Sequence, residues 1–307
     1  MSHKKVVFMG TPEFSVPILE AIFKSSYKIA CVYTQPPQKS NRGQLLNISP
    51  IHKCAEDLKL IIRNPKNLNS DVEFDFIKKM NPDIVIVVAY GQLISKEILN
   101  IPKEGFINIH ASLLPKWRGA APIQRSIMNS DTETGISIMK IVEKLDAGPV
   151  MKIIKTGIDS LINTEKLSKN LSKIASESII EVLNDIFNGK AKFVEQDHEV
   201  ATYAKKIKKE EAEVNWNESA KKILAKINGL NSNPGAWFMY KKMRHKIWKA
   251  KIVEKNGLPG KIIDKNFTIA CGNKSLEITQ IQKEGKKKLS LKNFLMGVDF
   301  KPGDELR

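Results

Sequence analysis

The run Asn108-Ile109-His110 sets an amide and an imidazole two residues apart. On a β-strand such residues share a face, about 7 Å apart along the chain. An imidazole takes or relays a proton near neutral pH, and an amide N–H donates to a developing oxyanion. Asp146, in Lys144-Leu-Asp-Ala-Gly148-Pro149, adds a carboxylate on a tight loop after another strand. Beside His110 it would orient the ring and favour its cation. Between them runs Ser112-Leu-Leu-Pro115-Lys-Trp-Arg-Gly119-Ala-Ala-Pro122, an irregular loop whose two leucines and Trp117 would wall a planar, partly apolar ligand. Each feature also has a plain structural reading: a hydrogen-bonded His, a turn-forming Asn, an Asp before a Gly-Pro turn, an ordinary strand-to-helix crossover. Spacing alone leaves both readings open.

The elements that must hold these residues alternate between strand and helix. Residues 6–9 form a short apolar run, Gly10-Thr11-Pro12 breaks it, and 14–23 continue with helical spacing. Residues 29–34 predict a second strand, 35–48 a long polar segment, and 49–58 a helix. Residues 84–90 are apolar and largely β-branched, the pattern of a central parallel strand covered on both faces. Further strands are expected at 106–110, 136–142 and 150–154, and an amphipathic helix over 165–187. The fold class is therefore α/β, a doubly wound and mostly parallel sheet, with Asn108 and His110 at a strand end where open sheets bind ligands. Gly-x-Gly-x-x-Gly and a phosphate-binding Gly-x-x-x-x-Gly-Lys-Ser/Thr loop are both missing, which argues against dinucleotide and ATPase readings.

After Asn188-Gly189 the pattern changes. Residues 190–209 are polar and read as a connector, although Tyr203 and Ile207 are candidates to dock. A short helix signal at 219–229 precedes β-like runs at 246–253, 261–263, 267–271 and 276–281, the signature of a small barrel. The expected organisation is a catalytic domain over 1–188, a linker over 189–206 and a barrel domain over 207–307. The chain has 307 residues and a net charge of +17, of which residues 207–307 hold +11, with 22 basic and 11 acidic side chains. Such a module suits a phosphate-rich partner such as nucleic acid, and equally a solvated, lysine-rich surface. Cys31, Cys54 and Cys271 are scattered, without Cys-x-x-Cys or zinc-ligand spacing, which fits a reducing compartment. The start lacks the apolar run of a secretory signal, and 84–90 is too short to span a bilayer, so a soluble, cytoplasmic protein is expected.

Together these pieces carry a resemblance. Phe8-Met-Gly-Thr-Pro-Glu-Phe14, Val88-Ala-Tyr-Gly91, Asn108-Ile-His110, the run from Ser112 through Trp117-Arg-Gly119 to Ser126, and Leu145-Asp-Ala-Gly148 closely resemble the methionyl-tRNA formyltransferase family. Tyr203-Ala-Lys-Lys-Ile-Lys-Lys-Glu-Glu211 and Asn233-Pro-Gly-Ala-Trp237 extend the resemblance over nearly the whole chain. It implies transfer of a formyl group from 10-formyltetrahydrofolate, a co-substrate, to the methionine amino group of initiator methionyl-tRNA, without a metal. By the same resemblance Asn108, His110 and Asp146 match the catalytic trio, and Ser112, Leu113, Leu114 and Pro115 the tetrahydrofolate-binding loop. Residues 35–48 match a segment that reaches the tRNA acceptor end, with Arg42 and Lys39 as its phosphate contacts. The chain departs there: Gln44 and Leu45 stand where relatives often carry lysines, and Asn41 where Gly is frequent. The C-terminal region resembles an oligonucleotide-binding (OB-like) barrel, and a monomer is expected. Two other readings stand beside this one: folate chemistry on another amine, such as a nucleotide sugar or glycinamide ribonucleotide, and an RNA-binding protein on an inactive enzyme fold. The basic last third argues against the first, and the retained Asn108, His110 and Asp146 against the second.

Overall fold

The computed structural model describes residues 4–40, 45–297 and 300–306. Arg42 and Gln44 therefore lie outside the described residues. Chain contacts divide the protein into two compact units, one of Met1–Gly119, Gly135–Thr156 and Ser168–Tyr203, the other of Ala120–Thr134, Gly157–Leu167 and Ala204–Arg307.

A seven-stranded sheet organises the first unit. From edge to edge its strands are Val150–Gly157, Glu133–Lys140, Phe106–His110, Ile84–Val88, Lys5–Gly10, Lys28–Tyr33 and Ile62–Arg63. Neighbours from Phe106–His110 to Ile62–Arg63 are parallel. Glu133–Lys140 runs antiparallel to Phe106–His110, with His110 opposite Ser137. The sheet is thus the mostly parallel, doubly wound one that the alternating signals predict. Ile84–Val88 is buried at every position, as a central strand covered on both faces must be. Strand order reverses between Lys5–Gly10 and Ile84–Val88, the switch point at which such sheets place a ligand crevice beyond the strand ends. Ser15 Oγ donates to Val88 O at 2.7 Å and Thr11 Oγ1 to Tyr90 O at 2.8 Å, tying the two loops at that point together. On the long helix Thr164–Phe187, Leu171, Ala175, Ile179 and Leu183 recur at steps of four and are fully buried.

Two elements of this unit differ from the sequence reading. Residues 35–48 contain a hairpin, Gln38–Ser40 paired antiparallel with Leu45–Asn47. Leu46 there is 69% exposed, so its apolar side chain marks no buried face. The helix Asp71–Met80 is an element that the sequence reading does not contain, although Asp71 and Glu73 in its first turn and Lys78 and Lys79 in its last suit the helix dipole. Its Glu73 is buried, forked by Arg63 and bonded by the Tyr33 hydroxyl at 2.8 Å. Burial pushes that carboxyl up, and the Arg63 and Tyr33 bonds reverse the effect and hold it below the ordinary carboxylate value.

The second unit centres on an antiparallel sheet ordered Trp237–Tyr240, Met243–Val253, Ser275–Lys283 and Thr268–Ala270, with Leu289–Ser290 also pairing Ser275–Lys283. Register shifts at Ile247/Lys249 and Lys249/Ala250 bend the long strand, and the sheet curls into the small, partly open barrel expected for this region. Helix Ala220–Gly229, capped by Ser219, buries Ile223, Leu224 and Ile227 against Phe238, Ile247 and Ile278. Helix Pro122–Met128 packs on it, and Gly229 is required there because a Cβ would press on Met128 Cγ and Gln124 O. Arg125 of this helix forks the Glu211 carboxylate at 2.7 and 3.1 Å and holds it below the ordinary carboxylate value.

His245 sits inside this barrel, 2% exposed, stacked on Phe238 and met edge-on by Tyr240, Phe294 and Phe300. Burial lowers its pKa, despite the Nδ1 contact with Met243 O. The unfolded chain takes up this proton near the ordinary value of about 6.5 and the folded chain only at lower pH. Stability is therefore lost as the pH falls below that value. Thermal melts at about pH 7.5 and about pH 5.5 should show this drop, and a smaller one for His245→Phe. Equal drops in the two proteins would contradict the assignment.

Candidate active site

The strand Phe106–His110 carries Asn108 half-buried and His110 6% exposed. Asn108 lies beside Val87 in the parallel register and opposite Met139 in the antiparallel one, at the carboxyl ends of the parallel strands. The structure brings both residues to Asp146. Asn108 Nδ2 donates to Asp146 Oδ1 at 3.3 Å, and His110 Nδ1 stands 3.7 Å from Asp146 Oδ2. The trio expected to converge does so.

Two main-chain groups complete the arrangement, and both come from the loop after the strand. Gly119 N donates to Asp146 Oδ2 at 2.7 Å, and His110 Nε2 is 2.9 Å from Trp117 O. A carbonyl oxygen only accepts, so Nε2 carries a proton. Asp146 Oδ2 stands before Nδ1 at 3.7 Å, longer than a hydrogen bond, so the ring is fixed through Nε2 and faces the carboxylate with Nδ1. The Asp146 side chain retains 12% exposure, so its charge is held chiefly by protein donors. Trp117 and Asp146 both have positive φ, at 61° and 46°. Non-glycine residues pay about 1 kcal/mol or more for that conformation, and such strain clusters where side chains must be aimed.

The loop itself is held from below. Ser137 Oγ donates to Ser112 O at 2.7 Å and accepts from Leu114 N at 3.0 Å. Ser112 Oγ donates to Lys116 O at 2.6 Å, and Trp117 N to Thr202 Oγ1 at 2.9 Å. Of the four loop residues singled out in the sequence, Ser112 and Leu114 lie in the interior, Leu114 packed with Met139 and Val150. Leu113 and Pro115 are half-buried. Trp117 and Leu145 flank the trio in sequence, one half-buried and the other exposed. Asn108 donates one amide hydrogen to Asp146, and its other hydrogen has no protein partner among the described residues. Ser137, Trp117 O and Gly119 N escape a reading by residue type because they act through a single hydroxyl or through the main chain. Lys39 lies on the strand Gln38–Ser40 with its backbone opposite Leu46. Among the described residues no group of three or more His, Cys, Asp or Glu side chains is placed to hold a metal ion. No helix there is long and apolar enough to cross a membrane.

Residues 4–183 match the family model described as formyl transferase, and residues 206–299 match that of the formyl transferase C-terminal domain. The chain is 52% identical over 305 residues to the methionyl-tRNA formyltransferase of Pelagibacter ubique, covering 99% of this chain and 98% of the relative. It is 39% identical over 308 residues to the methionyl-tRNA formyltransferase of Parvibaculum lavamentivorans, covering 98% and 99%. Among solved structures it is similar in fold to WlaRD, a sugar 3N-formyl transferase crystallised in the presence of dTDP and 5-N-formyl-THF. The TM-score is 0.66 at 19% identity, over 94% of this chain and 100% of that one.

Because one hydroxyl serves both Ser112 O and Leu114 N, Ser137→Ala leaves two buried groups unpaired. Urea denaturation should show a loss of about 2 kcal/mol or more. A loss below about 0.5 kcal/mol would mean that the loop does not depend on Ser137.

Proposed function

The chain belongs to the formyl transferase family, and from that membership we propose that it transfers the formyl group of 10-formyltetrahydrofolate to the free amino group of methionine on initiator methionyl-tRNA, for translation initiation. The observation that carries this reading is the extent of the likeness. The 52% identity to a methionyl-tRNA formyltransferase spans 305 residues, so it includes the basic final third as well as the trio. A small acceptor would have no use for a module of charge +11, whereas a tRNA offers it phosphates.

The formyl donor supplies an amide-like carbonyl carbon that an amine can attack. The trio suits that chemistry. Asn108 has one amide hydrogen fixed on Asp146 and one to donate to the oxyanion that develops as the carbonyl becomes tetrahedral. His110, bonded through Nε2 to Trp117 O and facing Asp146 with Nδ1, is oriented to stabilise that oxyanion or to relay a proton. Asp146 holds the ring and takes the proton that the attacking amine sheds; as the tetrahedral carbon collapses, its bond to N10 of the folate breaks, and that proton passes to the departing N10 as tetrahydrofolate leaves. The loop Ser112, Leu113, Leu114 and Pro115 is assigned to the formyl donor, a reading supported by the half-buried Leu113 and Pro115, with Ser112 and Leu114 shaping the loop from within. Arg42 and Lys39 are assigned to the acceptor end of the tRNA, and residues 207–307 to its body. One chain supplies every group of the site, so we take the working unit to be a monomer. Its place is the cytoplasm, with the translation machinery.

Formyl transfer should be measured with charged initiator tRNA and with charged elongator tRNA. The initiator should be the preferred acceptor; equal transfer to both, or to neither, would refute the reading. Asn108→Ala and His110→Ala should each lower kcat by about 100-fold or more, near 3 kcal/mol, while filter binding of the tRNA is unchanged. Turnover like that of the unsubstituted chain in either variant would reject the site. Arg42→Ala should raise KM for tRNA and flatten its salt dependence; an unchanged KM would remove Arg42 from the tRNA contact.

A further inference from the structure

Arg118 is the largest side chain fully enclosed among the described residues, at 1% exposure. Its acceptors are neutral. Nε and Nη2 donate to Gln196 Oε1 at 3.1 and 2.7 Å, and Nη2 also donates to His198 Nδ1 at 2.9 Å. Nη1 is buried and has no hydrogen-bond partner among the described residues. A buried cation of this kind is costly unless it does something that a hydrophobic residue would not.

Gln196, 8% exposed, turns the other end of its amide to the loop that bears Asp146. Its Nε2 donates to Asp146 O at 2.9 Å and to Gly148 O at 2.7 Å. Both oxygen lone pairs and both amide hydrogens are thereby used, a pattern that only a primary amide can satisfy. The guanidinium on the oxygen side polarises the amide and strengthens its N–H donors. The loop needs holding: Asp146 has positive φ, and a Cβ at Gly148 would overlap the Lys140 carbonyl. Arg118 also stands between the two main-chain groups that touch the trio, Trp117 O at His110 and Gly119 N at Asp146.

We propose that Arg118 and Gln196 are a positioning pair for the formyl transfer, joining the 117–119 segment to the 146–148 segment so that Asp146 stands at His110 and Asn108. Neither touches the reacting atoms. The pair works through main-chain groups, and its kinetic effect rests on the reaction proposed above. The residues 190–209, a polar connector by composition, thus supply part of the active-site frame.

Gln196→Glu separates this role from simple stability. The carboxylate still accepts from Arg118 and compensates its charge, but it cannot donate to Asp146 O and Gly148 O. The new Arg118–carboxylate pair offsets part of the loss of the two Nε2 bonds, so the melting temperature should fall by several degrees while the chain remains folded at the assay temperature. In that folded variant kcat should fall at least tenfold, with KM for the formyl donor and for tRNA within about twofold. Hydrogen exchange at the Gly119 amide, which donates to Asp146, should quicken at least tenfold, a readout that needs no turnover. A folded Gln196→Glu with unchanged kcat and unchanged Gly119 protection would overturn the proposal. Should Gln196→Glu not fold, Arg118→Lys decides: it keeps the charge and loses the fork. A fall in kcat of about fivefold at constant KM supports the pairing, and an unchanged kcat overturns it. Failure of the unsubstituted chain to formylate its acceptor would sink the reaction instead, and the exchange measurement would still judge the pair.

Discussion

A largely enclosed carboxylate must be met by donors, and the site is organised around meeting Asp146. Its oxygens receive the Gly119 amide at 2.7 Å and the Asn108 amide at 3.3 Å, and His110 Nδ1 faces it at 3.7 Å. Desolvating a carboxylate without such partners would cost several kcal/mol. The loop at 146–148 and the loop at 117–119 therefore cannot move independently of the strand Phe106–His110. The same contacts that neutralise the burial cost also set the spacing of amide, imidazole and carboxylate. Stability and chemistry draw on one set of hydrogen bonds.

The rest of the first unit makes that meeting possible. Ile84–Val88, buried on both faces, fixes the height at which Asn108 emerges, and the antiparallel strand Glu133–Lys140 brings Ser137 under the loop. Strain at Trp117 and Asp146 is tolerated because main-chain and side-chain bonds hold both neighbourhoods. The second unit follows a different physics. Its curled sheet packs a mixed aliphatic and aromatic core, with His245 among the rings at one part of it, and its sequence is rich in lysine, a composition that suits a phosphate-bearing partner.

Periodicity carried much of the fold. The twofold alternation of a strand suffices to place Asn108 and His110 on one face, and an apolar, largely β-branched run marks 84–90 as central, of which 84–88 form the strand. The amphipathic spacing of 165–187 foretells the long helix almost to its ends. Where an apolar residue is not buried, the signal fails: Leu46 of the strand Leu45–Asn47 is exposed, and three-residue strands are too short for an alternation to show. Asp71–Met80 carried charge signals at both ends that the pattern of apolar residues did not amplify. The site shows the same boundary. Convergence of the trio was legible, with help from the family resemblance, but the groups that aim it were not. Trp117 O and Gly119 N belong to the main chain, which residue types do not describe. Gln196 lies in a stretch whose polarity resembles that of any linker, and the burial of the Ser112 and Leu114 side chains within their loop is not legible from residue type.

The most direct measurement is the single-turnover rate of formyl transfer to initiator methionyl-tRNA by Asp146→Asn, with tRNA and donor binding measured alongside. An amide keeps the size of the side chain but gives up the negative charge that faces His110 and Gly119. The rate should fall by about 100-fold or more while both substrates still bind. A rate within about twofold of that of the unsubstituted chain would show that the carboxylate does not organise the site.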